Sequence, residues 1–534
     1  MINFDSAPTV YWFLGYILAG VVIVSTFYKK LPVSIFVLLS IALLTFMRLP
    51  VLVFNRELNP DESQMLSHAI TLHQDPVYWR SVDGTTIGPL DNYLLVIPRL
   101  FGFQIDYTSG RVMGLLCVAG ALLFLFFTMR NWFGGLLARR MLLIPLLFLS
   151  FTQEVDFVHY SSEQLPVFLL AWAIWILSRL GLENKNFVLN SYTLGFVAGV
   201  IPFAKLQAVP QAIVIVLSAC WLCYNYFRQT KKFRPMLMLI AGGITFPLIT
   251  FIWAWANNVL FDLVDFYLLG NVIYAGGNNN PPIPVQFFKI LNLSSDFKAF
   301  TLVLLVPIFA ALVKMVFDIR KSGNNTVSIT LLILLLSSIY AVTKSGNDFI
   351  HYLNFCIIPW TLLAAYGLDK VSKWVLVFPA FLLLWFSVND AIPYLQERKL
   401  NNFISVNATE LAQNTVVKEL KKYTRSQDYM VVWGWQCVYY VEAQLAQGTA
   451  ENHSERSIFK HNMLEKYRSR YFSDIQRTKP AVFLDAVGKN SFWVQDKKNQ
   501  GFESYPALAQ YINLNYKFAG IFDDTRLYVR KDRL

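Results

Sequence analysis

Charge is what this chain has least of. Only 15% of its 534 residues are Asp, Glu, Lys or Arg, against about a quarter in soluble globular domains. That shortage, with 55% hydrophobic residues, excludes an ordinary soluble protein of this length. Cysteine is also scarce. There are five, too few for a disulfide framework. Cys220 and Cys223 form a CxxC, but no second pair or nearby histidine completes a zinc set, so core packing is the expected role. Cys437 stands alone in the polar C-terminal part, so no internal disulfide is expected there. That part also lacks a Walker loop, a GxGxxG and a GxSxG, so it offers no motif for nucleotide binding or a nucleophile elbow. The first apolar run, YWFLGYILAGVVIVSTFY, lacks a basic start and a small-x-small cleavage site, and is read as a retained span rather than a signal peptide.

What the chain has instead is long apolar runs. Most are about 17–21 residues, enough to cross about 30 Å of hydrocarbon as a helix. Backbone groups in lipid must be satisfied internally, so the spans are expected to be helical. About twelve are predicted: 9–28, 31–49, 108–128, 139–152, 164–180, 187–204, 208–227, 236–256, 299–318, 327–343, 350–367 and 374–388. The formal net charge of +12 would suggest nucleic acid in a soluble protein. Here the basic residues fall in one alternating set of short loops: Lys29 and Lys30; Arg130, Arg139 and Arg140; Arg179 and Lys185; Arg228, Lys231, Lys232 and Arg234; Arg320 and Lys321; Lys370 and Lys373. They are opposed only by Glu183, Asp318 and Asp369. That bias assigns the set to the cytoplasm, and no nucleic-acid partner is expected. The loops 50–107, 153–163, 257–298 and 344–349, and everything after about 389, are then external, as are both termini. The expected localisation is the plasma membrane, the inner membrane if the source is bacterial.

Two domains are expected: a membrane domain over 1–388 and an external domain over 389–534. In the second, TELAQNTVVKELKKY and YPALAQYINLN read as helices, and YMVVWGW, PAVFLDAV and RLYVR as strands. This alternation predicts a small α/β domain. Residues 276–284, GGNNNPPIP, read as an irregular segment with turn and polyproline character. The sequons at Asn292, Asn324, Asn407 and Asn452 are at chance expectation.

The chemistry-bearing residues gather on the external side. Asp61 and Glu62 lie side by side in NRELNPDESQMLSHA, at the head of the long loop 50–107. The loop continues with apolar residues at helical spacing, ESQMLSHAITLHQDPVYW and GPLDNYLLVIPRLFGF, which predict short helices lying in the membrane interface. Arg80, Arg99, Arg111, Lys205, Lys344 and His351 are the external cations that are candidates to steady a phosphate. EVDFVHYSSEQL crowds Glu154, Asp156, His159, Tyr160 and Glu163 into one short loop. Asp, His and Glu are suitable ligands for a divalent ion. Hydrogen bonding to sugar or acceptor hydroxyls is the preferred role for Tyr160 and Glu163. Lys205 and Gln207 interrupt an apolar run near Pro202 and Pro210, which predicts a broken helix.

NPDESQMLSHAITL, DPVYWRSVDGTTIGPLDNYLLVIPRLFG, GRVMGLL, EVDFVHYSSEQLP, SGNDFIHYLNFCIIPW and DYMVVWGWQCVYYVEAQ together resemble the GT-C glycosyltransferases. The likeness is to the protein O-mannosyltransferase and lipid A aminoarabinose-transferase superfamily in its bacterial form. It implies a multi-pass α-helical membrane fold of about twelve spans with a C-terminal external α/β domain. The implied reaction moves a sugar from a polyprenyl-phosphate carrier, with inversion, to a glycan, lipid or protein acceptor on the external face. By resemblance Asp61 is the general base, with Glu62 orienting the acceptor or tuning Asp61. Arg80, Arg111, Lys205, Lys344, His351, Tyr352, His159, Tyr160 and Glu163 are the candidates for contact with the donor phosphate and substrates. No cofactor is required. If a divalent ion is bound, Asp61, Asp156 and Glu163 are the expected ligands. One motif departs from the pattern: aminoarabinose transferases carry a lysine before a Pro-Pro pair, where this chain has Ile87 and Gly88-Pro89, which puts a lipid A acceptor in doubt. A lipid-linked glycan polymerase or ligase, a transporter or flippase of lipid-linked sugars, and a non-catalytic assembly protein are the alternatives. No internal repeat of the kind common in transporters is seen.

Overall fold

The structure is a computed structural model that describes residues 8–182, 186–275, 281–320, 325–369, 374–397 and 408–534. Glu183, Lys185, Lys321, Lys370, Lys373, the stretch 276–280 and the sequons at Asn324 and Asn407 lie outside the described residues. The chain divides into two compact units. One comprises Met1–Val51, Gly114–Trp253 and Val272–Val406; the other comprises Leu52–Met113, Ala254–Asn271 and Asn407–Leu534.

Each of the twelve apolar segments is helical: Pro8–Ser25, Val33–Val53, Tyr107–Phe133, Gly135–Phe151, Gln164–Leu180, Phe187–Ala204, Val209–Thr230, Arg234–Ala256, Ser295–Arg320, Thr326–Thr343, Asn354–Gly367 and Val377–Glu397. Eight helices among the described residues are long and apolar enough to cross a membrane. Gly135–Phe151, Gln164–Leu180 and Asn354–Gly367 are shorter, at 14 to 17 residues. Phe187–Ala204 and Arg234–Ala256 touch backbone to backbone. A Cβ at Gly195 would lie 2.1 Å from the Leu239 carbonyl oxygen, and one at Gly242 the same distance from that of Tyr192. Lipid gives helices no hydrophobic drive to associate, so such close approach supplies the packing energy. The expected helix break is present. Phe187–Ala204 stops at Lys205, whose backbone is extended (φ −159°, ψ 127°). A short 3₁₀ turn, Leu206–Ala208, leads into Val209–Thr230.

The second unit is built on a mixed five-stranded sheet. The strands are β1 (Tyr429–Trp433), β2 (Ala446–Gln447), β3 (Val482–Asp485), β4 (Tyr516–Phe522) and β5 (Thr525–Arg530), in the order β2-β1-β3-β5-β4. β1 pairs parallel with β2 and β3, while β5 pairs antiparallel with β3 and β4. β1 and β3 are the apolar runs that the sequence marks as buried strands, and Val431, Val432, Trp433, Phe483 and Leu484 are fully buried in its core. The amphipathic run 409–423 forms a shorter helix than expected, Thr415–Leu420. The Asn414 side chain accepts the Val417 N–H and caps the helix there. The helix Leu464–Thr478 and strand β4 were not anticipated.

The helix that carries the acid pair, Pro60–Gln74, is not the interfacial helix that its spacing predicts. Glu62 through Leu72 are all buried. It packs on β2 and on the helix Val438–Ala443. Its polar groups find protein partners: Gln447 N–H donates to Thr71 Oγ1 at 3.0 Å, and Asn452 Nδ2 to the Gln64 carbonyl at 2.8 Å. An interfacial helix would leave one face for lipid, and this one has none to spare. The next stretch of the loop behaves as expected. Its short helices Pro89–Leu94 and Ile97–Leu100 are followed by an edge where Leu100, Phe101 and Phe103 stay exposed.

Candidate active site

The start of Pro60–Gln74 is written locally. Asn59 is the N-cap, its side chain accepting the Asp61 N–H at 3.0 Å, and Pro60 takes the first helical position. Both choices suit a helix start, and acids in the first turn meet the positive end of the helix dipole. The two adjacent acids then part company. Glu62 is buried and receives a bidentate grip from Arg111, Nε to Oε1 at 2.8 Å and Nη2 to Oε2 at 2.7 Å. The same guanidinium donates to the carbonyls of Phe54 and Arg56. Asp61 is half-buried, and its carboxylate accepts no hydrogen bond and forms no ion pair among the described residues. Beside them is an acid that sequence reasoning missed. Burial pushes Glu57 up to about 7, the Ser63 hydroxyl opposing and the charges of Glu62, Glu442 and Asp61 adding to the rise. Ser63 Oγ also lies 2.7 Å from Tyr107 Oη. The nearby cleft is lined in part by Glu57, Pro60, Trp435 and Cys437. The only signal for it in the sequence is the aromatic WGWQ at 433–436. Arg80, of the same unit, is largely exposed and bonds Asp75 at 2.6 Å.

The other unit gathers a second set. Lys205 forms a buried ion pair with Glu163 and donates to Ser162 Oγ at 2.6 Å. Its ammonium sits 5.1 Å from the ring centroid of buried Tyr352. Burial alone would raise Glu163, but Lys205 and His351 outweigh it and hold the carboxyl at about 2. His351 Nδ1 is 3.1 Å from Asp156 Oδ1, and its Nε2 is 4.0 Å from Glu163 Oε1. Burial raises Asp156, but its bonds to His351 and the charges of His351 and His159 together outweigh that, so it too is held below the usual carboxylate value. His159 lies edge-on to His351 with centroids 5.9 Å apart. Its Nδ1 bonds the Val155 carbonyl at 2.6 Å, while its Nε2 is buried without a partner among the described residues. Gln164 Oε1 is in the same condition. A buried polar atom without a partner costs about 1–3 kcal/mol, so the two mark a place suited to a ligand hydroxyl. Tyr160 is buried, and Lys344 is exposed just after the helix Thr326–Thr343. Asp156, His159, Glu163, Lys205, His351 and Tyr352 are therefore brought together from three stretches of sequence.

Glu163 and Asp156 are each engaged by a cationic or imidazole partner. Among the described residues no group of three or more His, Cys, Asp and Glu is arranged to hold a metal ion.

No protein-family model matches the chain, and no curated protein matches it. Solved structures do. ArnT from Cupriavidus metallidurans bound to undecaprenyl phosphate overlays with a TM-score of 0.57 at 11% identity, covering 93% of this chain and 98% of that one. The same protein in its apo state overlays equally well at 9% identity, with the same coverage. The oligosaccharyltransferase of Archaeoglobus fulgidus matches at a TM-score of 0.42 and 13% identity, over 84% of this chain and 68% of its own. At so low an identity the ArnT overlays speak to architecture, and they match nearly the whole length of both chains: this protein has the GT-C fold.

Proposed function

We propose that the protein is a membrane glycosyltransferase that takes a sugar from a polyprenyl-phosphate carrier and passes it, with inversion, to an acceptor hydroxyl on the external face of the plasma membrane. Asp61 is the general base. Its carboxylate takes the acceptor proton, the acceptor oxygen bonds to the anomeric carbon, and the bond from that carbon to the phosphate oxygen breaks, releasing the lipid phosphate. A well-placed base contributes about 10²–10⁴-fold to such a step. The observation that carries the reading is the unequal fate of the acid pair: Arg111 claims Glu62, and Asp61 is left with an unengaged carboxylate at the start of a rigidly packed helix. In this reading Glu62 and Arg111 are positioning residues that hold the first turn in place.

The departing phosphate needs cations to steady its charge. Lys205 and His351 are assigned that role, each pre-oriented by an acid, with Tyr352 flanking the lysine. Lys344 and Arg80, both exposed, are assigned to lipid-headgroup contact. His159, Tyr160 and Glu163 are assigned to sugar and acceptor hydroxyls. The fold shared with an undecaprenyl-phosphate-bound protein supports the choice of carrier. The test is sugar release from polyprenyl-phosphate sugar by purified Asp61→Asn protein, with donor binding measured alongside. Loss of turnover with donor still bound is the expected result. Turnover near the unmodified level removes Asp61 from the chemistry.

A further inference from the structure

The cleft beside Pro60 has a chemistry of its own. Its volume is about 710 Å³, within the roughly 300–1,000 Å³ of typical ligand sites. Three aromatic rings form one wall. Phe492 and Trp493 stack on each other with centroids 4.8 Å apart, and both stand edge-on to Trp435, at 5.2 and 5.3 Å. Trp435 is itself backed by His453, stacked at 4.0 Å and 4°. Phe492 and Trp493 remain 39% and 51% exposed. The loop that presents them is held in place. The Phe492 N–H donates to the Trp435 carbonyl at 3.1 Å, and Ser491 Oγ accepts the Trp435 N–H at 2.9 Å. Trp493 adopts a left-handed backbone (φ 62°), a strained state for a bulky residue that persists only where its surroundings impose it.

The rest of the lining is amide and acid. Gln436, Asn490, Gln495 and Gln500 supply donors and acceptors, Asp496 supplies negative charge, and Glu57 adds to it in its ionised form. Among the described residues no lysine, arginine or histidine lines the cleft, although basic residues outnumber acidic ones 46 to 34 in the chain. The buried Trp435 Nε1 has no acceptor among the described residues. An aromatic face is electron-rich and receives the polarised C–H face of a pyranose. Amides then match the ring hydroxyls, and the acids repel phosphate, sulfate and carboxylate groups. We infer that this cleft binds an uncharged glycan, stacked on Trp493 and Phe492, as the acceptor of the transfer. The acceptor role rests on the transferase reading above, whereas the binding itself is measured without turnover.

The test uses the full chain in nanodiscs free of glycosidic detergent. Saturation-transfer NMR is recorded with linear trisaccharides of glucose, mannose and N-acetylglucosamine, and with their sulfated counterparts. At least one uncharged trisaccharide is expected to bind saturably, and its sulfated form to bind about tenfold more weakly. Trp493→Ala, at an exposed ring, is expected to weaken binding about tenfold or more, and Gln495→Ala severalfold. The inference is overturned if no uncharged trisaccharide binds, if sulfation leaves affinity unchanged or improves it, or if Trp493→Ala binds as the parent does. Asp61→Asn is expected to keep full binding. If that variant also keeps turnover, the proposed base is wrong while the glycan cleft stands. If turnover is lost in Asp61→Asn but Trp493→Ala binds normally, only the cleft assignment fails.

Discussion

Glu62–Arg111 in one unit and Glu163–Lys205 in the other are both buried carboxylate–cation pairs, and their geometries differ. The first is a planar fork closed on both carboxylate oxygens, with its remaining donors on two backbone carbonyls. The second is a point charge meeting one oxygen, in the company of a hydroxyl, an imidazole and a phenol ring. A guanidinium can satisfy four acceptors at once in one rigid plane, and an ammonium cannot. The forked pair therefore suits a clamp on the helix that carries Asp61. The ammonium pair, next to a histidine and to buried polar atoms without partners, suits a place where a ligand exchanges hydrogen bonds.

The comparison breaks most visibly at Asp61, the residue the clamp presents. Asp61→Asn is expected to lower turnover by about 10²–10⁴-fold without shifting the thermal midpoint, since no protein partner is lost; scanning calorimetry beside the activity assay checks both. Arg111→Ala takes the cation from a buried carboxylate and the guanidinium donor from the Arg56 carbonyl, and is expected to cost about 3–5 kcal/mol of stability. Arg111→Lys restores only part of this, because it cannot reform the fork. The ammonium pair should behave differently on double substitution. Lys205→Met alone strands Glu163 and is expected to cost about 3 kcal/mol, whereas Lys205→Met with Glu163→Gln recovers most of it. The corresponding Arg111→Met with Glu62→Gln is expected to recover less, as the donors to the Arg56 carbonyl and to the second lone pair of the Phe54 carbonyl are not replaced. Equal recovery in the two units, read from denaturation midpoints, would erase the distinction.

A smaller effect separates the units by pH. Glu57 is raised to about 7 and Glu451, chiefly through burial, to about 8. The unfolded chain releases these protons near pH 4.5, while the folded protein keeps them. Stability is thus lost as pH rises from about 4.5 through 7 to 8. Glu57→Gln and Glu451→Gln are expected to flatten that slope. Glu163, held near 2, works in the opposite sense: its contribution is present above about pH 4.5 and disappears only as pH falls toward 2. The smallest change expected is Arg80→Ala. This largely exposed partner of Asp75 is expected to alter stability by less than about 1 kcal/mol.

Much of this was legible in advance, and particular residues show why. The apolar runs became helices because a run of that length in lipid has no other way to satisfy its backbone. The helix start at Asn59-Pro60 was missed, although capping is a contact between neighbours in sequence and such a pair can be read there. The break at Lys205 was visible in the prolines and polar residues around it. The β1 and β3 runs read correctly because each is apolar along its whole length. The run 409–423 misled because its periodicity outlasts the helix that Asn414 begins. The run 62–72 misled because a helix buried on every side by polar as well as apolar contacts has no sequence period that announces it.

By itself the sequence determined that the chain crosses a membrane many times, where its helices begin and break, and that a pair of acids stands at the head of one of them. These follow from forces that act within one or two turns: hydrophobic run length, capping and proline geometry. Only the tertiary structure decided which of the two acids is available, because the guanidinium that removes Glu62 comes from Arg111, 49 residues further along. Only the tertiary structure could set Lys205 against Glu163 and Trp435 against Trp493. Such contacts depend on how distant segments close on one another, and local periodicity carries no record of that.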